Sequence, residues 1–478
     1  MPFAGRALDL AILRREWQRV ADGAGATAGR AVILTGRRRV GKSRLAGEFA
    51  RLVAGPGLYF QAAKGRAAAA ERTDFMSGIG SSDLPGAAAV ADLTAADWNQ
   101  ALRLLAMALP SESPSLVVLD EVPWLIAQSP DFEGALQTVW DRQLSAKPVL
   151  LLLVGSDSSV MSTLQSYDHP FFGRAAAMTV EPLTVADVAD LTGLDGAEAI
   201  DAWITTGGFP EIAASWPRGA TWREFVAESV TSPLSPLLAA GQLTLLGEFP
   251  SAALARSVLE AVGNGARTFS HIAQRAGQAG AVASGSLAPV LKSLQAKRVI
   301  SRDSPLSTKS GARDHRYRVA DSYLRFWLAF GPEAITLAER GRADLALAGI
   351  ERQWPAWRGR AVEPLVRASL SRLLPNAEWP GVGAVGSWWN RRNNPEIDLV
   401  GADKQPVAGS VAMVGSIKWR EEGLFDARDF AALARGAVEV PGAATATPLV
   451  AVTRAGVEAG LPLARTWTPA ELVAAWRD

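Results

Sequence analysis

A chain of 478 residues is too long for one hydrophobic core, and its 48% hydrophobic and 20% charged residues read as a globular protein of several domains. A formal net charge of +1 leaves any nucleic-acid contact to local patches, and the absence of cysteine excludes disulfides, thiolate zinc sites and cysteine nucleophiles. His169, His271 and His315 form no metal-binding pair, no apolar run approaches a membrane span, and early charges argue against a secretory leader, so a cytoplasmic location with no membrane partner is expected.

Residues 7 to 22 carry Leu8, Leu10, Leu13, Trp17 and Val20 at helical spacing. The apolar run from Ala31 to Thr35 is then followed by Gly36, Arg37, Arg38, Arg39, Val40, Gly41, Lys42, Ser43 and Arg44, the G-x-x-x-x-G-K-[ST] spacing of a phosphate-binding loop. Glycines let successive amides curl inward, and the helix that opens at Lys42 presents a positive N-terminus to a phosphate chain. Lys42 would reach the β- and γ-phosphates of ATP, and the Ser43 hydroxyl would ligate Mg²⁺.

Gly57 to Ala63 reads as a second strand, and the Ala- and Gly-rich stretch from Lys64 to Ala91 as a mobile loop containing a helix. Asp97 to Leu109 is a helix by its spacing. Ser115 to Glu121, SLVVLDE, is a buried-strand pattern that ends in two acids. At the C-terminal edge of a parallel sheet, Asp120 would hold Mg²⁺ and Glu121 would polarise the attacking water. A further apolar strand, Pro148 to Ser156, ends in Ser156 and Asp157, either of which would sense the γ-phosphate, unless this is an ordinary strand-to-loop turn. Arg174 is a candidate for stabilising transition-state charge, in cis or from a neighbouring copy, with an ion-pair residue as the plainer reading.

Val185 to Ala240 is helical, with a turn at Thr205 to Pro210 of the kind that joins lid helices. From 250 to 325 the pattern becomes helix, helix, helix, hairpin, as in a winged helix. Lys292, Lys297, Arg298, Arg302, Lys309, Arg313, Arg316 and Arg318 gather there. They would contact a DNA backbone, or form the solvated face of a packing module.

Beyond Asp321 the chain turns aromatic, and Trp354, Trp357, Trp388 and Trp389 would be a protein interface if exposed or core if buried. An amphipathic helix has Glu363 near its start. Two strand-like stretches then place Glu396 with Asp398, and Ser416 with Lys418, on common faces. Glu363, Asp398 and Lys418 make a set able to bind a divalent cation for phosphodiester cleavage. Ser416 stands where such a set usually has an acid, which weakens it. Gly381, Gly383 and Gly386 match G-x-G-x-x-G but lead into a strand pattern and are set aside.

The blocks PFAGRALDL, GRRRVGKSRL, LYF, LVVLDEVPWL, LLLVGSDSSVM, FFGR, EPL, TTGGFPE, YRVADSYLRFW, GRAVE, NPEIDLVG and IKW span nearly the whole chain. In that order they resemble the archaeal-type P-loop ATPases of the AAA+/STAND class that carry a C-terminal DUF234 region. The resemblance implies a doubly wound P-loop core over 1–184, a helical lid over 185–248, a winged helix over 249–325, and a PD-(D/E)XK nuclease-like domain over 326–478. It also implies that Lys42 and Ser43 take ATP and Mg²⁺, that Asp120 and Glu121 form the second acidic motif, and that Ser156 or Asp157 is the sensor. Glu363, Asp398 and Lys418 take the nuclease positions. The leading expectation is an ATP-hydrolysing switch that couples nucleotide state to DNA contact. The alternatives are an ATP-gated nuclease and a nucleotide-gated scaffold for a protein partner or a second copy. No N-K-x-D stretch supports a GTPase.

Overall fold

Central strands of a parallel sheet must be apolar on both faces, and three segments of the N-terminal half meet that demand: β1 (Arg30–Thr35), β3 (Ser115–Asp120) and β4 (Val149–Val154). With β2 (Gly57–Gln61) and β5 (Ala175–Thr179) they form a five-stranded sheet in the order β2-β3-β4-β1-β5, every pair parallel. At the edges β2 alternates buried and exposed residues and β5 buries only Met178, as strands covered less fully do. The computed structural model describes residues 3–23, 29–248, 253–277, 280–310, 314–392 and 394–477. Arg313 lies outside them. The chain falls into two units, Met1–Pro182 and Leu183–Asp478.

The stretch expected to be a mobile loop containing a helix is helical over Ala68–Gly80, with a further turn at Ala87–Val90. Alanine there hides the signal, because only Phe75, Met76 and Ile79 mark the buried face, and these pack with Phe60 and Trp98 in the core of the unit.

In the second unit, helices Val185–Thr192, Gly196–Thr206, Pro210–Ala214, Trp222–Ser229 and Pro236–Glu248 come first. Three more follow, Ala253–Gly263, Phe269–Ala276 and Ser284–Ala296, and then an antiparallel pair, β6 (Ile300–Asp303) and β7 (Arg316–Val319). Two long helices, Ser322–Glu339 and Ala343–Ala361, lead to the helix Glu363–Leu373. The final sheet has the order β12-β11-β10-β9-β8, with β8 at Ala384–Trp389, β9 at Glu396–Ala402, β10 at Val411–Lys418, β11 at Leu449–Thr453 and β12 at Arg465–Trp467. β8, β9 and β10 run antiparallel to their neighbours in this meander, whereas β10, β11 and β12 are parallel. The helix Ala427–Ala437 joins β10 to β11, and its N-terminus is closed by a capping box of Asp426 and Asp429.

The tryptophans offered as an interface are core. Trp354, Trp357, Trp388 and Trp389 are all buried. Trp354 stacks on Trp222 with centroids 4.0 Å apart, and Phe326 meets Trp357 edge-on, so aromatic packing absorbs the surface that a partner would have needed.

Candidate functional site

The chain leaves β1 at Thr35 and turns sharply. Gly36 has φ of 141° and Gly41 φ of 91°, the left-handed region open to glycine at little cost. A side chain at Gly36 would also strike the Val180 carbonyl, whose oxygen lies 2.3 Å from where its Cβ would be. Val40 is fully buried and pins the loop from within, while Arg38, Arg39, Ser43 and Arg44 are exposed. Arg37 is half-buried. Helix Lys42–Leu52 starts immediately after the turn. The buried Lys42 ammonium donates to the Gly36 carbonyl at 2.9 Å and the Arg37 carbonyl at 2.8 Å, so it sits inside the curl of the loop.

The acids stand two strands away. Asp120, the last residue of β3, is buried, and its Oδ1 accepts from the Glu121 amide at 2.9 Å. Its Oδ2 accepts from the Tyr59 hydroxyl at 2.8 Å. The same hydroxyl oxygen lies 3.3 Å from the Ser43 carbonyl oxygen, so one side chain on β2 touches both the acid and the first turn of the loop helix. Burial, helped by the charge of Asp120, drives the Tyr59 phenol far above its usual range, which keeps it a donor. Glu121 has φ of 57°, a left-handed turn that swings its carboxylate off the strand. There its Oε1 accepts from the Ser156 hydroxyl at 2.9 Å, at the end of β4. Of the two sensor candidates, Ser156 is thus the one beside the acid. Asp157 instead accepts from the Val160 amide at the start of the following helix.

Arg174 is placed differently. The register pairs Ala175 with Ala31, so Arg174 flanks the start of β1 and β5, at the sheet edge opposite the phosphate loop. Its guanidinium makes two 2.7 Å bonds to Asp141 and also donates to the Pro170 and Phe172 carbonyls.

In the second unit, Glu363 opens its helix and Asp398 lies on β9. Asp398 Oδ2 accepts from the Ser416 hydroxyl and the Ile417 amide, both at 2.9 Å, across the β9–β10 pairing. Arg367 reaches Glu363 at 3.4 Å and the Asp398 carbonyl at 3.1 Å. Burial raises the pKa of both Glu363 and Asp398, against the opposing pull of Arg367 on the first and of the Ile417 and Ser416 bonds on the second. Lys418 Nζ stands 3.6 Å from Asp429. Among the described residues no three His, Asp or Glu side chains are grouped to hold a metal ion. The basic residues of the helix Ser284–Ala296 and the hairpin also divide. Lys292, Arg298, Arg302 and Lys309 are exposed, whereas Arg316 is buried over the Trp389 ring and bonded to Glu396, and Arg318 pairs with Asp303.

Residues 327–430 match the family DUF234, described as archaea bacterial proteins of unknown function. The chain carries a DUF234 region behind a P-loop NTPase fold. An uncharacterized protein of Methanocaldococcus jannaschii, MJECL04, is 21% identical over 394 residues, covering 82% of this chain and 83% of that one. Among solved structures, the Walker-type ATPase PABY2304 of Pyrococcus abyssi is 17% identical with a TM-score of 0.49, over 68% of this chain and 96% of its own. The ORC2 protein of Aeropyrum pernix is 14% identical with a TM-score of 0.41, over 72% of this chain and 95% of its own. Among the described residues no helix is long and apolar enough to cross a membrane.

Three features escaped the sequence reading. Arg6, buried and in a left-handed conformation, donates to the carbonyls of Val40 and Glu181 and so ties the phosphate loop to the segment after β5. Tyr59 lies in the LYF block, which gives it no role by itself. In the DUF234 region, Arg358 and Trp419 converge on the buried Asp201, which also takes Arg454 at 2.8 Å. Each depends on residues far apart in the chain, so no local pattern announces it.

Proposed function

We propose that the chain is a Mg²⁺-dependent ATP-binding and ATP-hydrolysing switch that couples nucleotide state to DNA contact. The observation that carries the reading is Tyr59, whose hydroxyl touches Asp120 and the first turn of the loop helix together. It joins the acid that would hold the metal to the hydroxyl-bearing residue that would share it. The donor set suits a magnesium nucleotide: a helix N-terminus and the Lys42 ammonium for phosphate, the Ser43 hydroxyl and the Asp120 carboxylate for a hard cation. Bound Mg²⁺ would supply neutralisation of the phosphate charge. The residues of the chain do the rest. Glu121, turned off β3 and oriented by Ser156, holds the attacking water as a base. Loop amides and Lys42 position the phosphates.

The nuclease alternative draws less support. Asp398 spends Oδ2 on Ser416 and Ile417, and Arg367 lies against Glu363, so a guanidinium stands where a cation would be wanted. Contact without cleavage is the better reading for the nuclease-like domain, over 326–478, and for the winged-helix module before it. The module's exposed Lys292, Arg298, Arg302 and Lys309 would meet the backbone. The test is Lys42→Ala. Turnover should fall to background, and salt-sensitive binding of duplex DNA should lose its response to ATP. Undiminished turnover would end the proposal.

A further inference from the structure

Under the β6–β7 hairpin, between helices Ser322–Glu339, Ala343–Ala361 and Glu363–Leu373, lies a cleft of about 50 Å³, room for a few waters or one phosphate group. Six arginines line it against three carboxylates. Four of the six are engaged. Arg267 and Arg316 share Glu396, Arg318 is 2.8 Å from Asp303, and Arg367 is 3.4 Å from Glu363. Among the described residues the side chains of the other two, Arg325 and Arg360, have no hydrogen bond or ion pair. Arg360 is exposed at the rim and Arg325 is half-buried. Burial, with Arg318, Arg267 and Arg360 adding like charge and Glu363 opposing, brings the Arg325 guanidinium down to about 10. It stays charged at neutral pH. Two guanidinium forks unmatched by carboxylates, at the mouth of a cleft whose other arginines are held in place by acids, form a preorganised anion site. Trp389 (under Arg316), Ser387, Tyr317 and Pro364 complete the lining.

We infer that this cleft is a receptor for a single phosphate group, either a phosphodiester of a nucleic-acid backbone or free phosphate, gripped by Arg325 and Arg360. The receptor does not depend on the ATPase reading; its nucleic-acid arm rests on the DNA contact proposed above. Where a metal-dependent nuclease would hold a cation against Glu363 and Asp398, this chain presents arginines that take the phosphate directly.

The experiment uses the full chain as wild type, Arg325→Gln and Arg360→Gln. The first arm measures thermal midpoints in inorganic phosphate against chloride at matched ionic strength. The second measures fluorescence anisotropy of a labelled duplex over a range of salt. Both variants should keep ATP turnover and their midpoint in chloride. Should Arg325→Gln fail to fold, the exposed Arg360 carries the test. Loss of the phosphate-induced midpoint rise, together with about tenfold weaker duplex binding and a salt slope reduced by about one, supports the receptor and identifies nucleic acid as the source. The weaker duplex binding alone supports the same source. Loss of the phosphate effect with unchanged duplex binding supports the receptor and identifies free phosphate. Both variants matching wild type in both arms overturns the inference, and leaves the ATP switch to the Lys42→Ala test.

Discussion

The Ser156 hydroxyl donates to Glu121 Oε1 at 2.9 Å, joining the end of β4 to the acid that follows β3. This bond fixes which way the carboxylate points after its left-handed turn. Ser156→Ala removes one hydrogen bond to a charged acceptor, of order 1.5 kcal/mol, which is about tenfold in rate if the bond is kept in the transition state. Steady-state kinetics should show turnover down about tenfold with KM for ATP nearly unchanged. A raised KM at constant turnover would instead mark Ser156 as a binding residue.

Tyr59 acts on Asp120 in the same manner. Tyr59→Phe keeps the partly exposed ring and deletes only the hydroxyl bonded at 2.8 Å. Asp120 then gains rotational freedom beside the loop helix, so the Mg²⁺ concentration for half-maximal turnover should rise several-fold while the fold holds. A magnesium titration of both proteins decides it, and overlapping curves would reduce Tyr59 to a packing residue.

The motifs legible in the sequence are those whose chemistry is local. Gly36 to Ser43 and the run ending in Asp120 and Glu121 announce themselves because loop, strand and acid lie next to one another in the chain, and the apolar runs at β1, β3 and β4 carry the doubly wound parallel sheet with them. The blocks holding Tyr59 and Arg6 were visible but their contacts were not, since each acts across a strand order that sets β2 beside β3 and the N-terminal arm against Val40. The bounds of helix Ala68–Gly80 were obscured by alanine, and the fate of the tryptophans turned on tertiary packing that spacing does not encode. At Ser416 the sequence showed that an acid was missing. Glu363 and Arg367 stand i,i+4 on one helix, a spacing the chain does show; it could not show Arg367 also bonding the Asp398 carbonyl.

Arg174 tests the assembly. From the β1–β5 register it stands one strand length, roughly 16 Å, from the loop end of the sheet, too far for service to its own nucleotide. If it acts, it acts on a neighbouring copy. Arg174→Ala should then lower turnover by on the order of 10³, and mixing it with Lys42→Ala protein should restore part of the activity, because each supplies what the other lacks. If Arg174 serves only to bind Asp141, both Arg174→Ala and Asp141→Ala would lower the thermal midpoint alike, and mixing would restore nothing.

Asp201 sits in the interior of the second unit against Arg358 and Arg454, with Trp419 donating to its other oxygen. Arg358 is only 1% exposed and has two further nitrogens without partners among the described residues. Asp201→Asn keeps the shape and removes the charge, leaving the buried Arg358 and the half-buried Arg454 around a neutral partner. A loss of about 3–5 kcal/mol is expected in chemical denaturation. A loss below about 1 kcal/mol would mean that water or Glu421, 3.5 Å from Arg358, already compensates them.

Glu71 gives the pH dependence. It is 2% exposed, accepts the Ala63 amide through Oε1 at 3.0 Å, and leaves Oε2 without a partner. Burial raises its pKa above 4.5, against the Ala63 bond and Arg66, with Asp74 adding to the rise. A carboxyl whose folded pKa exceeds its unfolded one contributes stability that is complete below the unfolded value and disappears as pH rises through the folded one. At pH 7 the ionised group therefore weighs against the fold. Glu71→Gln removes that pH-dependent part while keeping an acceptor for Ala63. The midpoint of the variant relative to wild type should be highest near pH 7 and fall steadily as pH approaches 4.5. A difference that stays constant across that range would assign the effect to packing around the side chain and not to its charge.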